Sequence, residues 1–185
     1  ANRMSCRGLF ITGTDTGVGK TAVAAGIVRL LRTDSVRVGA YKPVASGSVT
    51  GPNGLCWGDV EELHSALGGE YPREVICPQR FRAAVAPPIA ARMEEPAVNP
   101  DQLRAGARWW RDRVEVLVVE GAGGLLSPIT ETESNADLAI DLGFPLLVVS
   151  RLSLGTINHT LLTLEAVRAR GLPVAGILLN QAIPP

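Results

Sequence analysis

Lysine is nearly absent from this chain. Of its 18 basic residues all but Lys20 and Lys42 are arginine, so two positions retain an ammonium where sixteen others carry a guanidinium. Aromatic residues make up only 4%. Cysteine is scarce as well. Cys6, Cys56 and Cys77 are odd in number and lack CxxC spacing, which argues against a disulfide framework or a zinc site and predicts reduced thiols in a cytoplasmic protein. Net charge is also missing, with 18 acidic side chains against 18 basic. A neutral chain has no overall attraction for nucleic acid or an acidic membrane. No apolar run approaches the roughly 20 residues of a membrane span. The opening ANRMSCRG has no apolar signal core. Neither a nucleic-acid partner nor a membrane is therefore expected.

What is present is globular. A length of 185 residues, 46% apolar and 19% charged, suits one domain with a buried core. Short apolar runs alternate with helical patterns, which predicts βαβ units. Strands are expected at Gly8–Thr12, Val36–Tyr41, Val114–Val119, Leu146–Ser150 and Val174–Leu179. Helices are expected at Lys20–Leu31, Asp59–Leu67, Asn99 to about Arg113, Asn135–Leu142 and Thr156–Arg170. Asn99 reads as an N-cap, with Pro100 in the first helical position and Gln102 three residues after the cap. Residues 43–58 read as a loop, and 70–98 are proline-rich without clear period. The predicted class is α/β: a three-layer fold with a mostly parallel central sheet, whose ligands gather at the carboxyl ends of the strands.

The strongest motif is GTDTGVGKT, Gly13 to Thr21, between a strand and a helix, the context a P-loop requires, which makes the predicted fold a three-layer P-loop NTPase-type fold. Gly17 and Gly19 allow backbone N–H groups to turn toward an anion. The helix that follows adds its positive end. Lys20 offers a point charge to the β and γ phosphates, and the Thr21 hydroxyl is placed for Mg²⁺. The loop has one residue more than GxxxxGK[ST]: Gly13 leads it and Thr14 stands where glycine is usual. Glu120 follows an apolar run, where an acid at a strand tip can reach the metal. Asp59, read alone, is a helix N-cap more readily than a metal ligand. Lys42, in YKPVASGS, is a strand-end lysine that would pass as a surface charge, except that arginine serves nearly every other basic position. His64 and His159 lie in helices without partners in the sequence, and Arg104, Arg108, Arg111 and Arg113 read as a solvated face. At least one of Trp109 and Trp110 is expected in the core or a subunit contact.

GTDTGVGKT, YKPVASGS, VEGAGG and LNQAIPP together resemble the dethiobiotin synthetase family, over nearly the whole chain from Arg7 to Pro185. The resemblance implies a homodimer that closes a ureido ring from diaminopelargonate, CO₂ and ATP with Mg²⁺. It implies that Thr21, Asp59 and Glu120 hold the metal and that Lys20 and Lys42 are catalytic. It places ATP on Gly17, Val18, Gly19, Lys20, Thr21 and Ala22, on Asp59, on Glu120, Gly121, Ala122 and Gly123, and on Asn180 and Gln181 at the base. It places the substrate on Thr16, Lys42, Ser46 and Gly123. Leu154, Gly155, Thr156, Ile157 and Asn158 would receive the substrate carboxylate from the neighbouring subunit. Two departures accompany it. Gly17 stands where some relatives carry an acid, and family members continue past the position of Pro185, so residues 1–185 are expected to form one synthetase domain lacking its C-terminal segment, with poor choice among ATP, GTP and CTP. The competing readings are a partitioning-type P-loop ATPase switch, a cobyrinic-acid-type ATP-dependent synthetase, and a regulatory remnant without catalysis.

Overall fold

The computed structural model describes residues 6–52 and 54–181. Strand β1, Arg7–Gly13, carries the apolar LFIT run and is buried from its fourth residue, Phe10, on. Helix α1, Lys20–Thr33, turns Ala24, Ala25 and Val28 inward at the spacing of one helical face. Strand β2, Val38–Tyr41, is buried throughout. The expected loop 43–58 holds short pairings instead: β3, Val44–Ser46, then β4, Val49–Gly51, antiparallel to β5, Gly54–Cys56. Helix α2, Gly58–Ala66, follows. The proline-rich stretch resolves into α3, Arg73–Ile76, β6, Gln79–Phe81, and α4, Pro87–Glu94. β6 pairs with β3 in parallel, a contact between Val44 and Gln79 that no local periodicity announces.

Helix α5, Pro100–Arg111, buries Leu103, Ala107 and Trp110. Its cap is half as expected. The Asn99 side chain accepts from Gln102 N at 3.1 Å, but the Asn99 N–H donates to Gln79 Oε1 at 2.7 Å, not to Gln102. Replacing Asn99 by alanine strips one end of this helix, and urea unfolding is expected to show a loss of about 1 kcal/mol. Trp110 is fully buried and donates to Val75 O at 2.9 Å, as one of the tryptophan pair was expected to do.

Strand β7 runs Val116–Gly124, well past the expected end at Val119. Helix α6, Asn135–Leu142, opens on a reciprocal Ser134–Asp137 capping box. Strand β8, Leu146–Arg151, helix α7, Thr156–Ala169, and strand β9, Val174–Asn180, follow. Of the four arginines expected on a solvated face, Arg108 and Arg113 are exposed, Arg113 lying over Trp109, whereas Arg104 and Arg111 are half-buried and tied down: Arg104 donates to Asp141 and Glu133, and Arg111 reaches Leu142 O and lies over Phe144.

The main sheet has the order β2-β7-β1-β8-β9, every neighbouring pair parallel. β1 is central. The chain leaves it through α1 toward β2 on one side, while β8 and β9 lie on the other. That reversal opens a crevice beyond the carboxyl end of β1, the place where open α/β sheets bind ligands. No helix among the described residues is long and apolar enough to cross a membrane.

Candidate active site

The segment Gly13–Thr21 fills the crevice. Gly17 and Gly19 adopt φ values of 70° and 97°, in the left-handed region where a side chain is strained. Gly19 has a second reason to be glycine: a Cβ there would lie 2.0 Å from Asn180 Nδ2. Three side chains hold the loop by its carbonyls. Lys20 Nζ donates to Asp15 O at 2.9 Å, Arg151 Nη2 to Gly17 O at 2.8 Å, and Asn180 Nδ2 to Val18 O at 2.9 Å. Asn180, expected at the base, thus has its amide on the loop itself. Gln181 follows it and is exposed.

Beside the loop lies a charge cluster drawn from four elements. Lys42, just after β2, is buried, and its Nζ lies 2.7 Å from Glu120 Oε1 and 2.7 Å from Asp59 Oδ2. The Thr21 hydroxyl sits 2.9 Å from Asp59 Oδ1 and 2.8 Å from Glu120 Oε1. Glu120 lies within β7, not at its tip. It is paired with Ile11 at the last regular register position before the ladder shifts to Gly13 and Gly124. It is 1% exposed, whereas the Asp59 side chain is 47% exposed, so solvent screens the Asp59 pairing more. Burial alone would push Lys42 down, but the Glu120 and Asp59 carboxylates outweigh it and its pKa is raised. Burial, reinforced by Asp59, pushes Glu120 up against the pull of Lys42. Asp59 is held below the usual carboxylate range despite partial burial, because Lys42 lies against it. Lys20 is lowered, first by burial and then by repulsion from Lys42.

Mg²⁺ suits this donor set. The oxygens are hard, and two carboxylates with one hydroxyl are the complement such an ion takes beside phosphates. Glu120 Oε2 is buried and has no hydrogen-bond partner among the described residues. The Thr21 hydroxyl has one hydrogen between two carboxylate oxygens, so one of its contacts gains from a cation.

Lys42 also opens onto a cleft of about 360 Å³ lined by Thr16, Ser46, Asp59, Gly123 and Ser127, with Ala84 to Pro87 forming an apolar wall. The expected substrate residues Thr16, Lys42, Ser46 and Gly123 therefore meet in one space. Leu154 to Asn158 do not line it. They form the turn into α7 and its first three residues, and Leu154 and Ile157 are exposed.

A protein-family profile described as an AAA domain matches residues 7–185. The ATP-dependent dethiobiotin synthetase BioD of Anaeromyxobacter dehalogenans (strain 2CP-C) is 51% identical over 96% of this chain and 78% of its own length. That of Rhodopirellula baltica is 42% identical over 93% of this chain and 72% of its own. The chain belongs to the dethiobiotin synthetase family. Among solved structures, the kinase domain of the Escherichia coli tyrosine kinase ETK matches with a TM-score of 0.56 at 17% identity, over 98% of this chain and 69% of that one. A ParA family ATPase from Chlorobium tepidum TLS matches at 0.52 and 13%, over 95% and 73%. At such identities these two likenesses concern the fold alone, the P-loop α/β architecture expected from the sequence.

Sequence reasoning passed over three polar residues around the family's motifs. Arg151 reaches the phosphate loop. Asn135, 1% exposed, holds the glycine segment after Glu120: its Nδ2 donates to Ala122 O at 2.7 Å and Gly124 O at 2.8 Å, and its Oδ1 accepts from Ala122 N at 3.0 Å. Ser150, equally buried, accepts from Thr160 at 2.9 Å and meets the Thr156 hydroxyl at 2.8 Å, fastening the start of α7 to β8. A polar residue at a buried position was the only available signal for Ser150, which closes the apolar run LLVVS.

Proposed function

We propose that this chain is an ATP-dependent dethiobiotin synthetase that closes the ureido ring of dethiobiotin from 7,8-diaminopelargonate and CO₂, for biotin biosynthesis. The observation that carries the reading is Lys42. Its buried ammonium stands between the phosphate loop's Thr21, Asp59 and Glu120 cluster and a cleft large enough for a small linear substrate.

The chemistry follows from that placement. One substrate amine adds to CO₂ and loses a proton, giving a carbamate. A carbamate oxygen attacks the γ-phosphorus of ATP and ADP leaves, forming a carbamic–phosphoric anhydride. The second amine attacks the carbamate carbon, phosphate leaves and the ring closes. Phosphoryl transfer of this kind depends on positioning and on charge stabilisation. Gly17 to Ala22 hold the phosphates through backbone N–H groups, with Lys20 beside the β and γ oxygens. Lys42 faces the carbamate oxygen and the γ-phosphate together and offsets the charge that builds between them. Ser46 and Thr16 offer hydroxyls to the carbamate or the amines, and Gly121 to Gly123 let the backbone come close. Thr21, Asp59 and Glu120 would hold Mg²⁺, which when bound supplies positive charge to the phosphate oxygens. Asn180 and Gln181 stand on the base side of the loop. The exposed apolar start of α7, Leu154 to Asn158, suits contact with a second copy, and we place the carboxylate end of the substrate there, across a homodimer interface in a cytoplasmic enzyme.

The test is phosphate release and dethiobiotin formation by the purified chain with ATP, bicarbonate and Mg²⁺. Both are expected to require diaminopelargonate, and both should stop on chelation with EDTA and return with added Mg²⁺. Phosphate release that ignores diaminopelargonate would refute the synthetase reading in favour of a nucleotide switch.

A further inference from the structure

We propose that Arg151 is a positioning residue of the triphosphate site, shaping the phosphate loop through a hydrogen bond to its backbone. β8 and β9 end side by side, with Arg151 in register with Asn180. From these neighbouring strand ends two side chains reach two consecutive loop carbonyls, Gly17 O and Val18 O. A trans peptide points its C=O and its N–H in opposite directions. The Gly17 carbonyl shares its peptide with the Val18 N–H, and the Val18 carbonyl shares its peptide with the Gly19 N–H. Pinning both oxygens on the strand side turns both N–H groups the other way, toward the concave side where an anion sits. Among the described residues neither N–H is bonded to another backbone carbonyl.

Arg151 suits this task in two further respects. Among the described residues it forms no ion pair, unlike Arg104 or Arg73, so nothing pulls its guanidinium off the loop. Gly17 and Gly19 are both left-handed, so each peptide between them could flip at low energy if its oxygen were free. Two glycines make the nest accessible, and two pins select it. The proposal rests on the triphosphate-binding part of the function above and not on ring closure.

Calorimetry on the full chain tests it, with inorganic tripolyphosphate and with a non-hydrolysable ATP analogue as probes in Mg²⁺. Arg151→Ala is expected to weaken both probes by the same factor, about 10-fold, the effect of one hydrogen bond. Raising NaCl from about 0.05 to about 0.3 M is expected to leave the alanine variant's deficit within about 3-fold of its low-salt value, because a hydrogen bond to a neutral carbonyl is screened far less than an attraction between a guanidinium and a phosphate. KM for diaminopelargonate and the thermal midpoint should be unchanged in this variant. Alanine-variant affinities equal to the parent's would overturn the proposal. So would a deficit that vanishes at high salt, since charge and not the pin would then be the cause. A parent that bound neither probe would refute the nucleotide site and the pin together; a parent that bound both but formed no dethiobiotin would refute only the synthetase function.

Discussion

Lys42→Ala is expected to lower kcat for ring closure about 10³-fold, in line with removal of a preorganised charge from a transition state. It should do so with little change in ATP affinity, because Lys20 and the loop amides still hold the triphosphate. Lys42→Arg should not restore the rate. A planar fork cannot take the place of a compact ammonium 2.7 Å from carboxylates on two sides. Stability provides a second readout. Removal of the ammonium leaves Glu120 buried without its counter-charge. The penalty is held to about 2–3 kcal/mol because Asp59 is open to solvent and Glu120 can take up a proton. The sign of the pH dependence follows. Burial already raises Glu120 in the parent. Without Lys42 it rises further, so the native state holds a proton that the unfolded state releases. Such a group favours folding at low pH and loses that advantage as pH climbs above the ordinary carboxylate value. The variant's deficit should therefore be smaller at pH 5 than at pH 8. Full activity in Lys42→Ala would remove the central residue of the mechanism.

Gly19→Ala is expected to raise KM for ATP about 100-fold. Alanine at φ 97° is strained by roughly 1–2 kcal/mol. Its Cβ would also meet Asn180 Nδ2 at 2.0 Å, so the Asn180 side chain must leave the Val18 carbonyl and one further hydrogen bond is lost. Strain and lost pin add to roughly 2–3 kcal/mol, the stated factor in affinity. Gly26→Ala, seven residues along in α1, is the control. A Cβ there meets nothing within 4 Å, so that variant should keep its KM and gain about 1 kcal/mol of stability. Equal KM values for the two variants would show that the loop tolerates a side chain at Gly19.

What could be read in advance was local. The phosphate loop announces itself because its glycines, lysine and threonine are contiguous. Lys42 could be singled out only because lysine is so rare in this chain. Asp59 illustrates the limit: on helical pattern alone it is a cap, and its reach to Thr21, 38 positions earlier, belongs to the tertiary fold. Arg151 is one arginine among sixteen, with nothing in its neighbourhood to distinguish it. β3 and β6 are three residues each, too short for periodicity to register, and they find each other across α2 and α3. Arg104 was expected in solvent because its partners, Glu133 and Asp141, lie in a segment whose direction only the packed structure reveals.

The pins on the phosphate loop also bear on the order in which the protein acquires its activity during synthesis. Arg151 and Asn180 lie 134 and 162 positions after the carbonyls they hold. A ribosome thus delivers the loop long before its supports. Until they emerge the glycines are free to flip, and a nascent chain can carry the whole motif without a formed nest. Affinity for triphosphate should arise abruptly when β8 and β9 dock beside β1, so that nucleotide binding reports the docking of these two strands.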